Sequence, residues 1–260
     1  MDTKKIGCVI QARMGSVRLP GKVMLKISGK SLLEHIVDRV RGSSIIKKVV
    51  VATSVASEND VIRDFGKSFN VDVFSGDDSD VLSRYIKAAE KFGLDIICRI
   101  TADDPLVDIE EADRMVGILI SEGLDYVTNS DKSIEEYGTD VPVGLQSEVT
   151  TYSALSSAYE AAAAGTYREH VTLYLEENPG KYRIKIVSPR EAIKWKGLRL
   201  TVDTNEDFKL MSNIYKSLYE GFPLKNEKVI SFLKANPALL EVNSGIVTEY
   251  KGLENIKVKH

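Results

Sequence analysis

The sequence predicts an α/β fold with a mostly parallel central sheet and helices on both faces. Short runs of β-branched and other apolar residues alternate with amphipathic segments over the first half of the chain. These runs are nearly continuous in their apolar character, which is typical of strands buried on both faces of a parallel sheet. In such a doubly wound fold, ligands bind beyond the carboxyl ends of the strands.

Five strands and four helices are predicted in the first 130 residues. Runs rich in valine and isoleucine indicate strands at residues 6–11, 48–53, 71–74, 96–100 and 126–128. Apolar residues at helical spacing indicate helices at residues 31–41, 57–67, 79–92 and 109–122. Ser31 and Glu34 are spaced as a capping box at the start of the first helix, and His35 on that helix is interpreted as a packing residue.

The alternation is less regular in the second half of the chain. A polar, turn-rich segment is expected at residues 131–144, with strands at 145–150, 181–188 and 197–202. Helices are expected at residues 152–164, 168–177, 206–219 and 227–235. Thr204 or Asn205 is expected to cap the helix at 206–219. We predict one domain over residues 1–240, whose second half adds a substrate-facing lobe, and a tail at 241–260 without an assigned role.

Composition argues against two classes of partner. The 260 residues include 35 lysines and arginines and 38 aspartates and glutamates, so the formal net charge is −3. Proteins that coat nucleic acid or an anionic membrane normally need a basic excess, so we expect neither partner. The amino-terminal segment precedes an apolar run too short for a signal peptide or a membrane span, so we expect no export.

Cysteine and histidine usage argues against further types of site. Cys8 and Cys98 fall within apolar runs, where they are interpreted as buried strand residues of a protein in the reducing cytoplasm. The three histidines, His35, His170 and His260, are too few to favour a histidine-rich metal site. An anionic ligand would therefore have to be bound by a local basic cluster.

The most informative segment is the basic loop, residues 11–22, which follows the first predicted strand. Three cations lie within ten residues of one another: Arg13, Arg18 and Lys22. With two glycines that let the backbone approach a ligand closely, such a loop favours a polyphosphate. It is not the P-loop of NTPases, because five residues separate Gly15 from Gly21 where that motif has four, and Val23 replaces its Ser or Thr. The alternative is a solvated basic loop without a ligand.

Two further segments carry acidic residues where a predicted strand stops. Asp103 and Asp104 follow the strand predicted at residues 96–100, and Asp203 follows the strand predicted at 197–202. At the carboxyl ends of strands in this fold, such carboxylates are expected to face the ligand crevice. Carboxylate oxygens suit Mg²⁺, which takes one or two carboxylates together with substrate phosphates. Taken alone, each segment is equally explained as a turn and a helix cap, with Asp203 itself as the second cap.

Together, these segments resemble the CTP-dependent cytidylyltransferases that activate acidic sugars, in particular the branch of spore-coat polysaccharide biosynthesis. The resemblance covers roughly residues 5–215. Its most specific part is the basic loop, which is similar to the family pattern at every informative position. The other matching segments are residues 32–35, 50–54, 80–85, 99–106, 168–172 and 201–203.

The resemblance implies a Rossmann-like nucleotide-diphospho-sugar transferase fold and a defined reaction. CMP would be transferred from CTP to a sugar acid of the 2-keto-3-deoxy type, with release of pyrophosphate, for surface polysaccharide or glycan biosynthesis. Mg²⁺ would be the cofactor and the protein a cytoplasmic homodimer. The resemblance also divides the chain into a nucleotide-binding half at about residues 5–130 and a sugar-binding and dimerisation lobe at about 131–205.

The same resemblance implies roles for individual residues. The triphosphate would be bound by Arg13, Arg18 and Lys22, assisted by the backbone amides of Gly15 and Ser16. The other expected nucleotide contacts are Ala12, Arg84 and Thr101. The expected metal ligands are Asp103 and Asp203, and the expected catalytic residues are Arg13, Lys22 and Asp103. The expected sugar contacts are Gln146, Arg168, Glu169 and His170.

Two departures from the family pattern lie in these sites. Ala102 and Asp104 flank Asp103 where relatives usually have glycine and cysteine, so Asp104 is a candidate for sharing or disturbing the metal site. Gln146 stands where relatives often have aspartate, which replaces a carboxylate with an amide in the sugar lobe. Three alternatives stay open: a nucleotidyltransferase for another nucleotide or a non-acidic sugar, a metal-dependent nucleotide-sugar glycosyltransferase, and a nucleotide-binding protein without turnover.

Overall fold

The computed structural model describes residues 4–130, 140–162 and 165–246. The strands in these ranges are β1 (Ile6–Gln11), β2 (Lys26–Ile27), β3 (Lys30–Ser31), β4 (Lys48–Ser54), β5 (Asp72–Gly76), β6 (Ile96–Thr101), β7 (Tyr126–Thr128), β8 (Glu148–Thr151) and β9 (Ile184–Ile186). The α-helices are α1 (Leu32–Arg41), α2 (Asp60–Ser68), α3 (Val81–Phe92), α4 (Ile109–Glu122), α5 (Tyr152–Ala161), α6 (Thr166–Glu169), α7 (Leu173–Glu176), α8 (Asn205–Leu218) and α9 (Asn226–Ala235). Short 3₁₀ helices lie at Lys22–Met24, Ser57–Asn59, Glu191–Ile193 and Pro237–Val242.

A seven-stranded sheet forms the centre of the molecule, in the order β5, β4, β1, β6, β8, β7, β9. Its strands are parallel except for β8, which is antiparallel to both β6 and β7. The mostly parallel α/β sheet predicted from the sequence is confirmed. The carboxyl ends of β1 and β6, which are neighbours in register from Ile6 with Ile96 to Gln11 with Thr101, therefore lie at the same edge of the sheet.

Both faces of the sheet are buried, as the continuous apolar runs predicted. In β1, Cys8 and Ile10 belong to one apolar cluster and Val9 to a second cluster on the other face. Cys8 and Cys98 lie opposite each other on neighbouring strands as buried free thiols, which confirms their interpretation as core residues. Burial raises the pKa of both thiols above the ordinary value.

The predicted start of α1 is also confirmed. The Ser31 hydroxyl accepts a hydrogen bond from the Glu34 backbone N–H at 3.1 Å, and the Ser31 N–H donates to the Glu34 carboxylate at 2.5 Å. His35 is buried, and its ring lies 4.4 Å from the ring of Tyr215, centroid to centroid. Local sequence therefore sets the helix start, and His35 packs between α1 and α8.

Replacing Ser31 with alanine is expected to lower the free energy of unfolding by about 1 kcal/mol, because it leaves a first-turn N–H of α1 without its acceptor. Chemical denaturation measures this difference. Ser121→Ala is the matched control, since Ser121 is exposed in the last turn of α4 and its hydroxyl donates to the Ile118 carbonyl of the same turn. Equal losses in the two variants would contradict the capping role.

Two elements predicted for the second half are wrong. The single helix expected at residues 168–177 is divided into α6 and α7, because His170 leaves helical geometry at φ −95° and ψ 83° and the Thr172 hydroxyl bonds the Glu148 carboxylate. The strand expected at 197–202 is an extended segment joined to loops: Leu200 N–H donates to the Val143 carbonyl and Val202 N–H donates to the Asp103 carbonyl.

Other predicted elements differ from the structure at their ends. The strand predicted at 145–150 begins later, as β8, and that at 181–188 is shortened to β9. Parts of three predicted segments, residues 131–139, 163–164 and 247–260, lie outside the described residues. Within the described ranges, none of the helices has the length and apolar character needed to cross a membrane.

Candidate active site

Three segments distant in sequence meet at the carboxyl edge of the sheet. The basic loop follows β1, Asp103 follows β6, and Asp203 lies just before α8. The Lys22 ammonium nitrogen lies 2.7 Å from Asp103 Oδ2 and 2.7 Å from Asp203 Oδ1. Lys22 and the carboxylate pair, Asp103 and Asp203, therefore form one cluster.

The basic loop is closed by its own backbone. The Met14 carbonyl accepts N–H groups from Ser16 at 2.8 Å and from Gly21 at 3.0 Å. Gly21 adopts the left-handed conformation at φ 67°, which favours glycine, and Lys22 then begins a 3₁₀ turn. The Ser16 amide expected to bind phosphate is thus engaged within the loop, and Ala12 N–H donates to the Ala52 carbonyl beside β4.

The three cations of the loop differ in their surroundings. Lys22 has a side chain only 10% exposed, whereas that of Arg18 is 49% exposed and its Nη2 lies 3.1 Å from Asp203 Oδ2. Burial disfavours the ammonium charge, but Asp103 and Asp203 outweigh burial and raise the pKa of Lys22 above its ordinary value. Arg13 is exposed and, within the described part of the chain, has no ion pair, so it is available to an anion.

Asp203 is the electrostatic centre of the cluster. Besides Lys22 and Arg18, it accepts a hydrogen bond from Arg199 Nη2 at 2.8 Å. Burial favours the neutral acid, but the charge and hydrogen bond of Lys22, together with Arg199 and Arg18, hold the pKa of Asp203 below its ordinary value. Asp203 is therefore an ionised carboxylate that faces the basic loop.

Arg199 and Asp207 hold Asp203 in place by hydrogen bonds, and the sequence analysis did not predict this role. Arg199 donates from Nε to Asp207 Oδ1 and from Nη2 to Asp207 Oδ2, both at 2.9 Å, and Asp207 Oδ2 accepts the Asp203 N–H at 3.0 Å. Thr204 and Asp207 form a capping box for α8, which confirms Thr204 as the cap and excludes Asp203. The spacing of Thr204 and Asp207 was the available sequence signal.

Asn243, near the start of the tail at residues 241–260, bonds the two residues that hold Asp203. Asn243 is buried and donates from Nδ2 to Asp207 Oδ1 at 2.9 Å and to the Arg199 carbonyl at 3.3 Å.

Asn243→Ala is expected to lower the free energy of unfolding by about 2 kcal/mol, because a hydrogen bond to a buried charged group is lost. Chemical denaturation checks this, with Asn236→Ala as control, since the exposed Asn236 amide donates to an uncharged acceptor, the Phe232 carbonyl. A loss no larger than that of the control would contradict the role of Asn243.

The Asp104 carboxylate is hydrogen-bonded to the end of β6. Its Oδ2 accepts the Thr101 hydroxyl at 2.6 Å. Burial, followed by the charge of Asp103, raises the pKa of Asp104 to about 7. The expected nucleotide contact of Thr101 stays a prediction, with its hydroxyl here donated to Asp104.

A polar cluster adjoins this edge on the side of α3 and α7. Arg99 Nη1 donates to Glu148 Oε2 at 3.0 Å, and Arg99 Nη2 donates to Gln11 Oε1 at 3.3 Å. The Thr172 hydroxyl donates to the same Glu148 oxygen at 2.8 Å. Gln146 is half-buried two residues before Glu148, and among the described residues its side chain makes no hydrogen bond. Gln146 is therefore available as a donor and acceptor beside the cluster.

The other predicted sugar contacts lie on α6 and at its end. The Arg168 guanidinium lies 3.7 Å from the Tyr159 ring centroid, and Arg168 Nη1 lies 3.5 Å from Asp80 Oδ2. Glu169 is exposed and His170 is half-buried. Arg168 thus joins α6 to the start of α3, and the sugar-binding roles of these three residues stay predictions.

Arg84, an expected nucleotide contact, is almost fully buried on α3. Its Nη1 donates to the carbonyls of Asp77 at 2.6 Å and Asp78 at 2.9 Å. Burial chiefly lowers the pKa of Arg84, and the nearby Arg13 charge lowers it further. Arg84 therefore stabilises the loop that follows β5. The nucleotide contact expected of Arg84 stays a prediction.

The carboxylate pair is the group in this site best suited to a metal ion. Asp103 and Asp203 direct one oxygen each at the same ammonium group, so both carboxylates face a common cationic position. Within the described ranges, no cluster of three or more histidine, cysteine, aspartate or glutamate residues could hold a metal. Two carboxylates suffice for Mg²⁺ where substrate phosphates and water complete its coordination.

The chain matches the cytidylyltransferase family model over residues 7–240. An uncharacterised protein of Methanocaldococcus jannaschii is 38% identical over 93% of this chain and 96% of its own length. The spore coat polysaccharide biosynthesis protein SpsF of Bacillus subtilis is 33% identical over 88% of this chain and 94% of its own length.

Solved structures agree with the sequence match. A cytidylyltransferase from Leptospira borgpetersenii superposes with a TM-score of 0.84 at 28% identity, over 95% of this chain and 100% of that one. The CMP:2-keto-3-deoxy-manno-octonic acid synthetase bound to CTP shares the fold, with a TM-score of 0.63 at 19% identity, over 82% of this chain and 99% of that one. The resemblance inferred from the basic loop is confirmed, and the chain belongs to the cytidylyltransferase family, a family of CTP-using nucleotidyltransferases.

Proposed function

We propose that this cytidylyltransferase transfers CMP from CTP to a sugar acid of the 2-keto-3-deoxy type in the synthesis of a surface polysaccharide or glycan. The observation that carries the proposal is the convergence of Lys22 with the carboxylate pair at the end of the basic loop. The polysaccharide context is supported by SpsF. The acceptor class is supported by a 3-deoxy-manno-octulosonate cytidylyltransferase of Geobacter metallireducens, 29% identical over 45% of this chain and 46% of its own length.

In the proposed reaction, a hydroxyl oxygen of the acceptor attacks the α-phosphorus of CTP. The bond from that phosphorus to the bridging oxygen breaks, its electron pair leaves with pyrophosphate, and the hydroxyl proton is released to solvent. Lys22, Arg13 and Arg18 neutralise the charge that develops on the leaving pyrophosphate. Because positioning and charge neutralisation dominate such transfers, a single well-placed cation contributes about 3 kcal/mol to transition-state stabilisation.

Asp103 and Asp203 would hold Mg²⁺ at the position that Lys22 contacts. When bound, Mg²⁺ supplies a positive charge that orients the triphosphate and lowers the pKa of the attacking hydroxyl. The proposed role of Arg199 and Asp207 is to keep Asp203 directed at this position, since both bond its carboxylate or its backbone.

The acceptor would lie over the polar cluster. Gln146 offers an amide to a hydroxyl or carbonyl group, while Arg168 provides the forked donor that suits a carboxylate. Glu169 and His170 are proposed to bind sugar hydroxyls from the same side. We also propose that the protein is a cytoplasmic homodimer that associates through residues 131–205.

A pyrophosphate-release screen tests this proposal. The enzyme, Mg²⁺ and CTP are combined with 2-keto-3-deoxy sugar acids, and each acid is matched with its methyl ester as a neutral control. Release with the acids and its absence with the esters is the expected result. Release with neutral sugars alone would overturn the acceptor class, and thermal stabilisation by another nucleoside triphosphate in preference to CTP would overturn the nucleotide.

A further inference from the structure

One contact between the basic loop and a distant turn is made by a backbone group, the N–H of Met14. The Met14 carbonyl already closes the loop by accepting the amides of Ser16 and Gly21. The other side of Met14 is bound by a residue 45 positions away: its N–H donates to Asn59 Oδ1 at 2.8 Å. The orientation of the whole loop relative to the sheet is therefore coupled to Asn59.

Asn59 is held firmly in its turn. Its side chain is completely buried, and its Nδ2 donates to the Ser54 hydroxyl at 2.8 Å. Arg63 bonds the carbonyls of Ser54 at 2.9 Å and Ala56 at 3.0 Å, which ties both ends of the same turn to α2. Because the Met14 N–H can only donate, the amide of Asn59 has one orientation that satisfies both partners.

A second contact joins the same turn to the basic loop. The Glu58 carboxylate packs on Gly15, where a Cβ would lie 2.9 Å from Glu58 Oε1. The turn therefore meets the loop at two consecutive residues, Met14 and Gly15, and these directly follow Arg13, an exposed cation of the loop.

We infer that Asn59 is a positioning residue for triphosphate binding, which fixes the basic loop through the Met14 N–H. This inference rests on the proposed binding of the CTP triphosphate by that loop. A neutral amide suits the task, because it accepts the N–H without adding a second negative charge to that of the Glu58 carboxylate beside the loop. Without it, the half-buried Met14 N–H loses its partner, and the loop must reorganise before it binds an anion.

Asn59→Ala is expected to raise the Kd for CTP and for inorganic triphosphate, each with Mg²⁺, about tenfold. The KM for CTP is expected to rise by a similar factor while kcat changes less than about threefold, because the loop contacts the triphosphate before and during the reaction. Titration calorimetry and steady-state pyrophosphate release measure these quantities on the full-length protein.

Ser54→Ala is the matched control. Ser54 is fully buried and bonds the same Asn59 amide, yet its loss leaves the bond from Met14 to Asn59 intact. Both variants are expected to lose thermal stability, but only Asn59→Ala is expected to lose triphosphate affinity. Equal affinities in the two variants would overturn the inference, whereas failure of the wild-type protein to bind CTP would overturn the proposed function on which it rests.

Asn59→Asp covers the case in which the alanine variant does not fold. One carboxylate oxygen of the aspartate still accepts the Met14 N–H. The other oxygen accepts a hydrogen bond that the Ser54 hydroxyl now donates, so the fold is expected to persist. Its charge beside the loop is expected to weaken triphosphate binding more than tenfold at low salt and less at high salt. Unchanged affinity in the folded aspartate variant would overturn the inference.

Discussion

Replacing Lys22 with alanine is expected to lower kcat/KM for CTP by at least about a hundredfold. Lys22 is the cation that reaches both members of the carboxylate pair, at 2.7 Å from each, and its pKa is raised, so it is fully charged at neutral pH. In the proposed reaction, the positive charge of Lys22 neutralises the negative charge that develops on the leaving pyrophosphate. Initial rates of pyrophosphate release, with CTP and the accepted sugar varied in turn, measure the loss.

Lys30→Ala is the matched control for this experiment. Lys30 also forms a lysine–aspartate ion pair, at 2.6 Å to Asp38, but it lies on β3 outside the cluster. Its removal is expected to change kcat/KM by less than about twofold, because this half-buried ion pair makes no contact with the cluster. A Lys22→Ala enzyme with more than a tenth of the wild-type rate would contradict the role assigned to Lys22.

A second readout for Lys22→Ala does not depend on turnover. Lys22 occupies the position between Asp103 and Asp203 at which a divalent cation would neutralise the same two charges. Its removal is therefore expected to tighten Mn²⁺ binding in the absence of nucleotide, as measured by electron paramagnetic resonance. Weaker Mn²⁺ binding in this variant would argue against competition between the lysine and a metal.

The parts of the site that follow β1 and β6 were predictable because their signals are local. Each strand is a nearly continuous apolar run, and parallel strands bring their carboxyl ends to one edge, which places the basic loop and Asp103 together. The start of α1 was predictable for a similar reason, since Ser31 and Glu34 satisfy each other within one turn. Short-range patterns of this kind need no knowledge of the rest of the fold.

What could not be predicted depends on pairing between distant segments. The extended segment that carries Arg199 has strand-like composition, but its backbone bonds the loops around Val143 and Asp103, so no strand forms. The contact between Met14 and Asn59 joins two turns that have no shared sequence pattern. The ion pair between Arg168 and Asp80 likewise joins two distant helices, and the sugar contact predicted for Arg168 stays a prediction.

Replacing Asp103 with asparagine is expected to lower kcat/KM by at least about a hundredfold and to raise the Mg²⁺ concentration needed for half-maximal rate. The substitution keeps the size of the side chain but removes one of the two charges that meet at Lys22. A metal held by two carboxylates and by substrate phosphates loses affinity when one carboxylate becomes a neutral amide. Rates measured over a Mg²⁺ titration separate a loss of metal affinity from a loss of rate at saturating Mg²⁺.

Asp104→Asn provides the sharpest comparison, because the same substitution is made at the adjacent residue. Asp104 bonds the Thr101 hydroxyl, and burial together with the Asp103 charge raises its pKa to about 7, so much of its charge is already lost near neutral pH. Its substitution is therefore expected to change kcat/KM less than about fivefold and to leave the Mg²⁺ requirement unchanged. A raised Mg²⁺ requirement in Asp104→Asn would add Asp104 to the metal site, whereas an active Asp103→Asn enzyme with the wild-type requirement would remove Asp103 from it.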